Sequence, residues 1–340
     1  MLAHAILASL HQAWPPFVLV AGLLLIGSVA AHDGLFEAVG SRLARTGLGP
    51  HVLLLALLAL VAVVTAVLNL DTSVLFLTPV LVHAARTRGL DERPFLYGSV
   101  FMANSASLLL PGSNLTNMLV LRSDPESGLA FATRMLPAWI TACTITALFL
   151  VVRYRLKDTR RDTGDLPPLR LGLGAAATLT AAALVLGLPN PAIPVLALGL
   201  AATVACHHRP RLDPRALALL FTLTVMLGTI ARLWQHPANL LDGRSSWTTA
   251  LLGATASLLL NNLPATVVLS THPAAHPQAL LLGLDLGPNL AITGSLAAVL
   301  WLQVAHTVNA RVSIATYTRL GALLVPATIL LATAALLVTP

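Results

Sequence analysis

The sequence predicts an all-α polytopic membrane protein: an inverted repeat of about eight full spans, with two re-entrant hairpins and two broken transmembrane helices. Three observations carry this expectation. Of 340 residues, 56% are hydrophobic and 10% charged, with a mean hydropathy of +0.83, far from the roughly 25% charged residues of soluble globular domains. A polar, Asn-rich patch interrupts the apolar sequence twice, and a second break containing Pro, Gly and Asn follows each patch. The basic residues, finally, sort to alternate loops.

Apolar runs near residues 16–32, 94–121, 129–152, 169–188, 191–206, 215–232, 278–306 and 317–338 are mostly long enough to cross a hydrocarbon core of about 30 Å. The runs 94–121 and 278–306 contain the breaks. Two further apolar pairs, 51–68 with 72–85 and 247–260 with 265–271, bend at the Asn patches. Their second arms are short for a crossing, so both read as re-entrant hairpins, although 51–68 alone also fits an ordinary span. Residues 16–152 then run span, hairpin, broken span, span, and 215–338 repeat that order. Between them lies a helix pair at 169–206, closed by Pro189-Asn190-Pro191. The expected division is a first repeat at 1–152, a basic cytoplasmic linker at 153–170 and a second repeat at 171–340. Met1 to Pro15 lacks a basic segment followed by a long apolar core, so no cleaved signal peptide is expected.

The net charge of +7 forms no stripe for nucleic acid. Threading the spans places the loops 41–50, 86–93, 153–170, 207–215 and 307–316 on one side, and these hold fifteen basic residues from Arg42 to Arg311. The opposite loops and helix ends hold Arg122, Arg232 and Arg244, with Arg134 just inside a helix. By the positive-inside rule the first side is cytoplasmic and both termini lie outside. The first hairpin then enters from the cytoplasm and the second from outside, as an inverted pair should.

The first patch is Asn69-Leu70-Asp71-Thr72-Ser73, followed by the break Pro111-Gly112-Ser113-Asn114-Leu115-Thr116-Asn117. The second is Asn261-Asn262-Leu263-Pro264-Ala265-Thr266, followed by Gly287 to Ser295 with Asn289 and Thr293. Non-helical backbone survives at membrane depth only where protein or a cavity satisfies it, and matched breaks in two halves point to a secondary transporter's binding site. Asn69, Asp71, Thr72, Ser73, Ser113, Asn114, Thr116, Asn117, Asn261, Asn262, Thr266, Asp285, Asn289, Thr293 and Ser295 are therefore the candidate solute- or ion-binding residues.

Of thirteen acidic residues, only Asp71 and Asp285 are embedded in apolar sequence. An intramembrane carboxylate faces a cavity or a partner because its burial in lipid costs roughly 2.5–3.5 kcal/mol on insertion scales. Both are candidates for proton coupling, with Asp71 the leading one. Capping a half-helix is the competing explanation: it is compatible with ion handling at Asp71, and it is favoured at Asp285, where Asp-Leu-Gly-Pro resembles a helix end. The Asn and hydroxyl groups supply neutral donors and acceptors, suited to an anion, a neutral polyhydroxyl solute, Na⁺ or H⁺, and they also bridge exposed backbone. Arg134, His306 and Arg319 lie within reach of an interface and can snorkel. Cys143 and Cys206 suggest neither a disulfide framework nor a metal centre, and no cofactor is indicated. No HExxH, GxSxG, Walker A or CxxC pattern occurs, so protease, lipase and ATPase readings lack their residues.

At these motifs the chain resembles the arsenical pump membrane protein family, the arsenite efflux permeases of a wider ion transporter superfamily that includes dicarboxylate and citrate carriers. The resemblance is carried by Leu260 to Thr266, Gly283-Leu284-Asp285-Leu286-Gly287-Pro288-Asn289 and Thr293-Gly294-Ser295-Leu296-Ala297, continuing to Leu300-Trp301-Leu302. In the first half it is carried by Asp71 with Leu77-Thr78-Pro79, Ala103-Asn104-Ser105-Ala106-Ser107 and Ser113 to Asn117. It implies a carrier with a scaffold and a moving transport domain, exporting arsenite or antimonite by the proton gradient or with a partner ATPase. The implied partners are a small inorganic or anionic solute, H⁺ or Na⁺, the lipid bilayer, a second copy of the chain and a cytoplasmic ATPase subunit. Two departures stand out. Relatives usually begin with about two more spans, which leaves one scaffold half short here, and they place Asn directly before Asp where this chain has Asn69-Leu70-Asp71. With only two cysteines, a multi-thiol site for soft trivalent arsenic is not expected, and arsenite would travel as its neutral hydroxide.

Overall fold

The computed structural model describes residues 1–121, 127–156, 172–188, 190–207, 210, 214–234 and 239–338. Helix breakers set most element boundaries. Gly34, at φ 73°, ends α1 (Leu2–His32) and opens α2 (Leu35–Arg45). Pro50 starts α3 (Pro50–Val67), and Asn69 caps α4 (Leu70–Thr87) by accepting from the Thr72 N–H. Pro94 lies in the first turn of α5 (Arg93–Ala106), which stops before a 3₁₀ turn at Pro111–Ser113 and resumes as α6 (Leu115–Leu121). Ser127 caps α7 (Gly128–Arg153), and α8 (Leu173–Gly187), α9 (Ala192–Ala205) and α10 (Pro214–Leu233) follow. In the second half Ser245 caps α11 (Ser246–Leu260), Asn261 caps α12 (Asn262–Leu269), and Pro277 starts α13 (Pro277–Leu286). Two 3₁₀ turns, Gly287–Leu290 and Ile292–Gly294, separate α13 from α14 (Leu296–Thr307), and α15 (Ile314–Val338) closes the chain.

Among the described residues, α1, α3, α7 and α15 are long and apolar enough to cross a membrane, and α8, α9, α11, α14 and most of α10 are shorter apolar helices. This is a multi-pass membrane protein. Three boundaries differ from the sequence expectation. The first helix begins at Leu2 rather than near residue 16, running through Pro15 and Pro16 without ending. Packing of α1 against α9 and α10 explains why, since neighbouring helices at membrane depth compensate for the lost N–H groups. Residues 35–45, partly assigned to a loop, form α2, which buries Phe36, Ala38, Gly40 and Ala44; eleven residues are too few and too polar to register as a span. The second arm of the first hairpin has eighteen residues, as many as the first, or about 27 Å at 1.5 Å per residue. Its polar Asp71 and Arg86 lie in the terminal turns, which shortens the apolar run visible in sequence. Leu156 aside, the central linker lies outside the described residues beyond Arg155, as do Arg122, Pro189, Arg209 and Arg211.

Polar contacts at the two ends fix the direction of each element. At one end Arg88, buried, donates to the carbonyls of Ala44, Thr46 and Leu48 and so ties the finish of α4 to the start of α3. There Arg86 pairs with Glu92 at 2.6 Å and donates to Val308 and Asn309 carbonyls, while Asp33 caps α8 through the Gly174 N–H. Arg93 and Arg153 approach the Tyr154 ring at the same end. At the far end Gln12 reaches the carbonyls of Leu119 and Ser270, and Arg232 donates to Gln12 at 2.6 Å. The α3–α4 pair therefore opens at the basic end and the α11–α12 pair at the far end. The broken helices α5/α6 and α13/α14 run in opposite directions.

Small residues let these helices meet backbone to backbone. A Cβ on Gly283 would run into the Ala250 carbonyl and the Ala254 N–H of α11, and one on Gly321 would meet the Asn289 carbonyl. An aromatic cluster of Tyr97, Phe101, Trp301 and Tyr317 fills the space between α5, α14 and α15, with Trp301 donating to the Leu96 carbonyl at 2.9 Å. Replacing Gly283 by Ala should cost about 1–3 kcal/mol through overpacking, read as a lowered unfolding midpoint in detergent. Gly47→Ala, which meets nothing within 4 Å, should leave the midpoint in place; equal shifts in both variants would refute the close-packing account.

Candidate functional site

Each break exposes backbone carbonyls that no helix satisfies, and nearby side chains take them up. In the first, the Ser113 hydroxyl lies 2.6 Å from the Ser107 carbonyl and 2.5 Å from that of Leu110, and Asn117 donates to both carbonyls at 2.7 and 3.1 Å. In the second, Asn261 donates to the Thr293 carbonyl, Tyr317 to that of Pro288, and Ser295 caps α14. Asn261 adopts φ 79° to make its turn, a conformation Asn tolerates better than most residues.

The two breaks also bind one another. Asn104, near the end of α5, donates to Asn289 in the second break at 2.7 Å. Asp285, near the end of α13, accepts from Asn114 at 3.0 Å and from Thr116 at 2.5 Å in the first. Asn104 precedes Leu115, the start of α6, by eleven residues (115 − 104), and Asp285 precedes Leu296, the start of α14, by eleven (296 − 285). Matching positions of the two halves thus each reach across to the other half's break, with an amide on one side and a carboxylate on the other. Both residues are 0% exposed.

The structure brings together Asn114, Thr116, Asp285 and Asn289 from the sequence-predicted set, adding Asn104 and Ser107, whose hydroxyl lies 3.4 Å from the Asn114 amide. Asn104 belonged to a recognised motif but was not singled out as a site residue. Its signal was the shared eleven-residue offset. Ser113, Asn117, Thr266, Asn261 and Ser295 hold backbone, Thr266 by donating to the Asn262 carbonyl. Ser73 reaches the Val61 carbonyl across the first hairpin, Asn262 is buried in α12, and Thr293 is exposed. Asp71 lies half-buried in the first turn of α4 and makes no hydrogen bond to the described residues. It is not joined to the Asp285 network.

Several buried polar atoms lack partners, at the breaks Asn104 Oδ1, Asn117 Oδ1 and Asp285 Oδ2, and at the start of α4 Thr72 Oγ1 and Asn69 Nδ2. The three at the breaks are acceptors, whereas the Thr72 hydroxyl can donate or accept and the Asn69 amide donates. Each unsatisfied buried group costs about 1–3 kcal/mol, so a surplus of acceptors marks a place that receives hydrogen-bond donors. Neither Asp71 nor Asp285 pairs with a cation among the described residues; His32–Asp33, Arg86–Glu92 and Arg93–Asp91 pair at the basic end. No three of His, Cys, Asp and Glu cluster among them to hold a metal.

Helices long and apolar enough to cross a membrane, packed with two interrupted helices that share a buried polar network, fit a membrane transporter. The chain belongs to the citrate transporter (CitMHS) family, whose sequence model matches residues 2–340. It is similar to an arsenical pump membrane protein of Escherichia coli, 26% identical over 91% of this chain and 82% of the relative. It also resembles the silicon efflux transporter LSI3 of Oryza sativa subsp. japonica, 26% identical over 41% of this chain and 29% of that protein. The fold matches the crystal structure of the Alcanivorax borkumensis YdaH transporter, described as having an unusual topology, with a TM-score of 0.59, 15% identity and coverage of 98% of this chain and 86% of that one.

If the Asn104–Asn289 bond joins the halves, single Asn104→Ala and Asn289→Ala variants and their double variant should show a coupling energy of about 0.5–3 kcal/mol in thermal unfolding. Strictly additive losses would show that the two amides do not act together.

Proposed function

We propose that the protein is a secondary active exporter of the uncharged hydroxides of trivalent arsenic and antimony, exchanged for H⁺. The observation that carries this reading is the neutral network of amides and hydroxyls around one fully buried carboxylate, Asp285, where the breaks of the two halves meet. Unpartnered acceptor oxygens suit a solute that brings several O–H donors. The similarity to arsenical pump membrane proteins over most of the chain supports the cargo, and the shorter similarity to a silicon efflux transporter points toward small hydroxides.

In this reading the two halves are inverted repeats, and α3–α4 and α11–α12 are re-entrant hairpins from opposite faces. Eight crossings surround them, the basic end is cytoplasmic, and both termini are outside. The reciprocal reach of Asn104 and Asp285 supports the repeat, and the gathering of Arg86, Arg88, Arg93 and Arg153 at one end supports the sidedness. Asp285 is the leading proton-coupling group and Asp71 the second.

The family's citrate transporter description favours one alternative, an H⁺- or Na⁺-coupled carrier of a di- or tricarboxylate. Such an anion needs cationic partners, and the arginines that bond one another's loops sit at the basic end instead. Everted vesicles separate the two. The expected result is proton-gradient-driven accumulation of radiolabelled arsenite that Asp285→Asn reduces at least tenfold. Citrate uptake without arsenite uptake would replace the cargo, and full gradient-driven transport by Asp285→Asn would remove that carboxylate from coupling.

A further inference from the structure

A cavity of about 660 Å³ lies at the basic end between α2 and α4 and is used by none of the chemistry above. One face of each helix lines it. From α2 come Glu37, Ser41 and Arg45, spaced i, i+4 and i+8; from α4 come Leu75, Pro79, Val82 and Arg86, which share one face at i, i+4, i+7 and i+11. Extending that α4 face one turn toward the helix start leads from Leu75 to Asp71. Glu37, Ser41, Arg45, His83 and Arg86 make the polar part of the lining, and the rest is apolar.

Two further observations bear on where the cavity leads. Asp71 is half-buried and lacks a hydrogen-bond partner among the described residues, unlike Asp285, which is sealed in its network. Pro79 inside α4 has no N–H to give the Leu75 carbonyl, leaving an acceptor part-way between the mouth and the carboxylate. The titratable or charged groups facing the cavity are Glu37 and Arg45 from α2 and His83 and Arg86 from α4; α1 contributes Ala31 and the loop after α14 contributes Val308.

The geometry points to this cavity as the access path by which water, protons and small uncharged hydroxide solutes reach Asp71 from the basic end. The proposal rests on the transport reading for its purpose, but access itself is measured without any cargo. Asp71 thereby exchanges with one aqueous phase, while Asp285 stays shut between the breaks. Ser41 marks the mouth and Leu75 the narrow passage.

The test uses the full chain with Cys143→Ser and Cys206→Ser, carrying Asp71→Cys, in sealed vesicles of each orientation treated with a charged, membrane-impermeant thiol reagent. Ser41→Cys serves as the mouth control. Both cysteines should react at least tenfold faster from the basic-loop side than from the other. Adding Leu75→Trp should slow Asp71→Cys at least tenfold while leaving Ser41→Cys unchanged, and Leu75→Cys in a chain retaining Asp71 should itself react from the basic side. Reaction of Ser41→Cys without Asp71→Cys and Leu75→Cys, faster reaction from the far side, or indifference to Leu75→Trp would each overturn the path. Failure of the unsubstituted chain to transport arsenite, with one-sided labelling of the cysteine variants intact, would instead overturn the cargo and leave the path standing.

Discussion

A helix that stops at membrane depth must place its free backbone groups on protein, because lipid offers no hydrogen bonds. That constraint organises this molecule. Ser113 and Asn117 take the carbonyls of one break, and Asn261 and Tyr317 those of the other. The remaining polar side chains are then free to bind across: Asn104 to Asn289, and Asn114 with Thr116 to Asp285. The close approach this requires explains the glycines around the breaks. Gly321 lets α15 lie against the Asn289 carbonyl, and Gly287 lets the second break lie against Ala254 and Ser257. Without side chains at those positions, the backbone of one element can sit where a neighbour's carbonyl would otherwise face a methyl group.

The two halves share this plan yet differ at its centre. The first half reaches across with an amide and the second with a carboxylate, so an architecture of paired positions carries one titratable group rather than two. Elsewhere, apart from Asp71 at the start of α4, the charged side chains that bond among the described residues lie toward the ends. Arg86, Arg88 and Arg93 bind loops at the basic end, and Arg232 holds Gln12 at the other. The exposed ion pairs Arg86–Glu92 and Arg93–Asp91 contribute little stability, and Arg88 and Arg232 bond neutral groups. The value of these contacts is positional: they fix where α3, α4, α10 and the loop after α14 begin or end, and thereby the end of the molecule toward which each helix pair opens.

Much of this was legible in the sequence, for identifiable reasons. The Asn patches and the Pro/Gly breaks lie where helices stop, because few residue types can turn a chain or cap a helix start there. Asp71 and Asp285 stood out because a carboxylate is conspicuous in apolar surroundings. What stayed hidden were features whose signal is not local. The extension of α1 through Pro15 and Pro16 depends on α9 and α10 packing beside it, and α4 looked too short because its polar residues lie in its end turns. The partnership of Asn104 with Asn289 spans 185 residues. Capping was favoured for Asp285 in the sequence, since Gly-Pro follows it, but its oxygen accepts from side chains of the other half rather than from an N–H of its own chain turn.

The partners chosen for Asp285 bear on what its carboxylate can do. A lysine or arginine there would hold it permanently ionised, and removing the negative charge would leave a buried unpaired cation, which is strongly unfavourable. Asn114 and Thr116 impose no such penalty. A hydroxyl rotates to accept instead of donate, and a carboxamide turned about its last bond exchanges its N–H₂ for its carbonyl. Oδ1 is held by these two neutral donors with the neutral Ser107 hydroxyl also beside the carboxylate, while Oδ2 is buried and makes no close hydrogen bond. A proton arriving on Oδ2 would therefore disturb neither existing bond, and a carboxylate that has lost it keeps both. A group able to remain bonded in either protonation state, at the point where two broken helices meet, can change charge without requiring the fold around it to come apart.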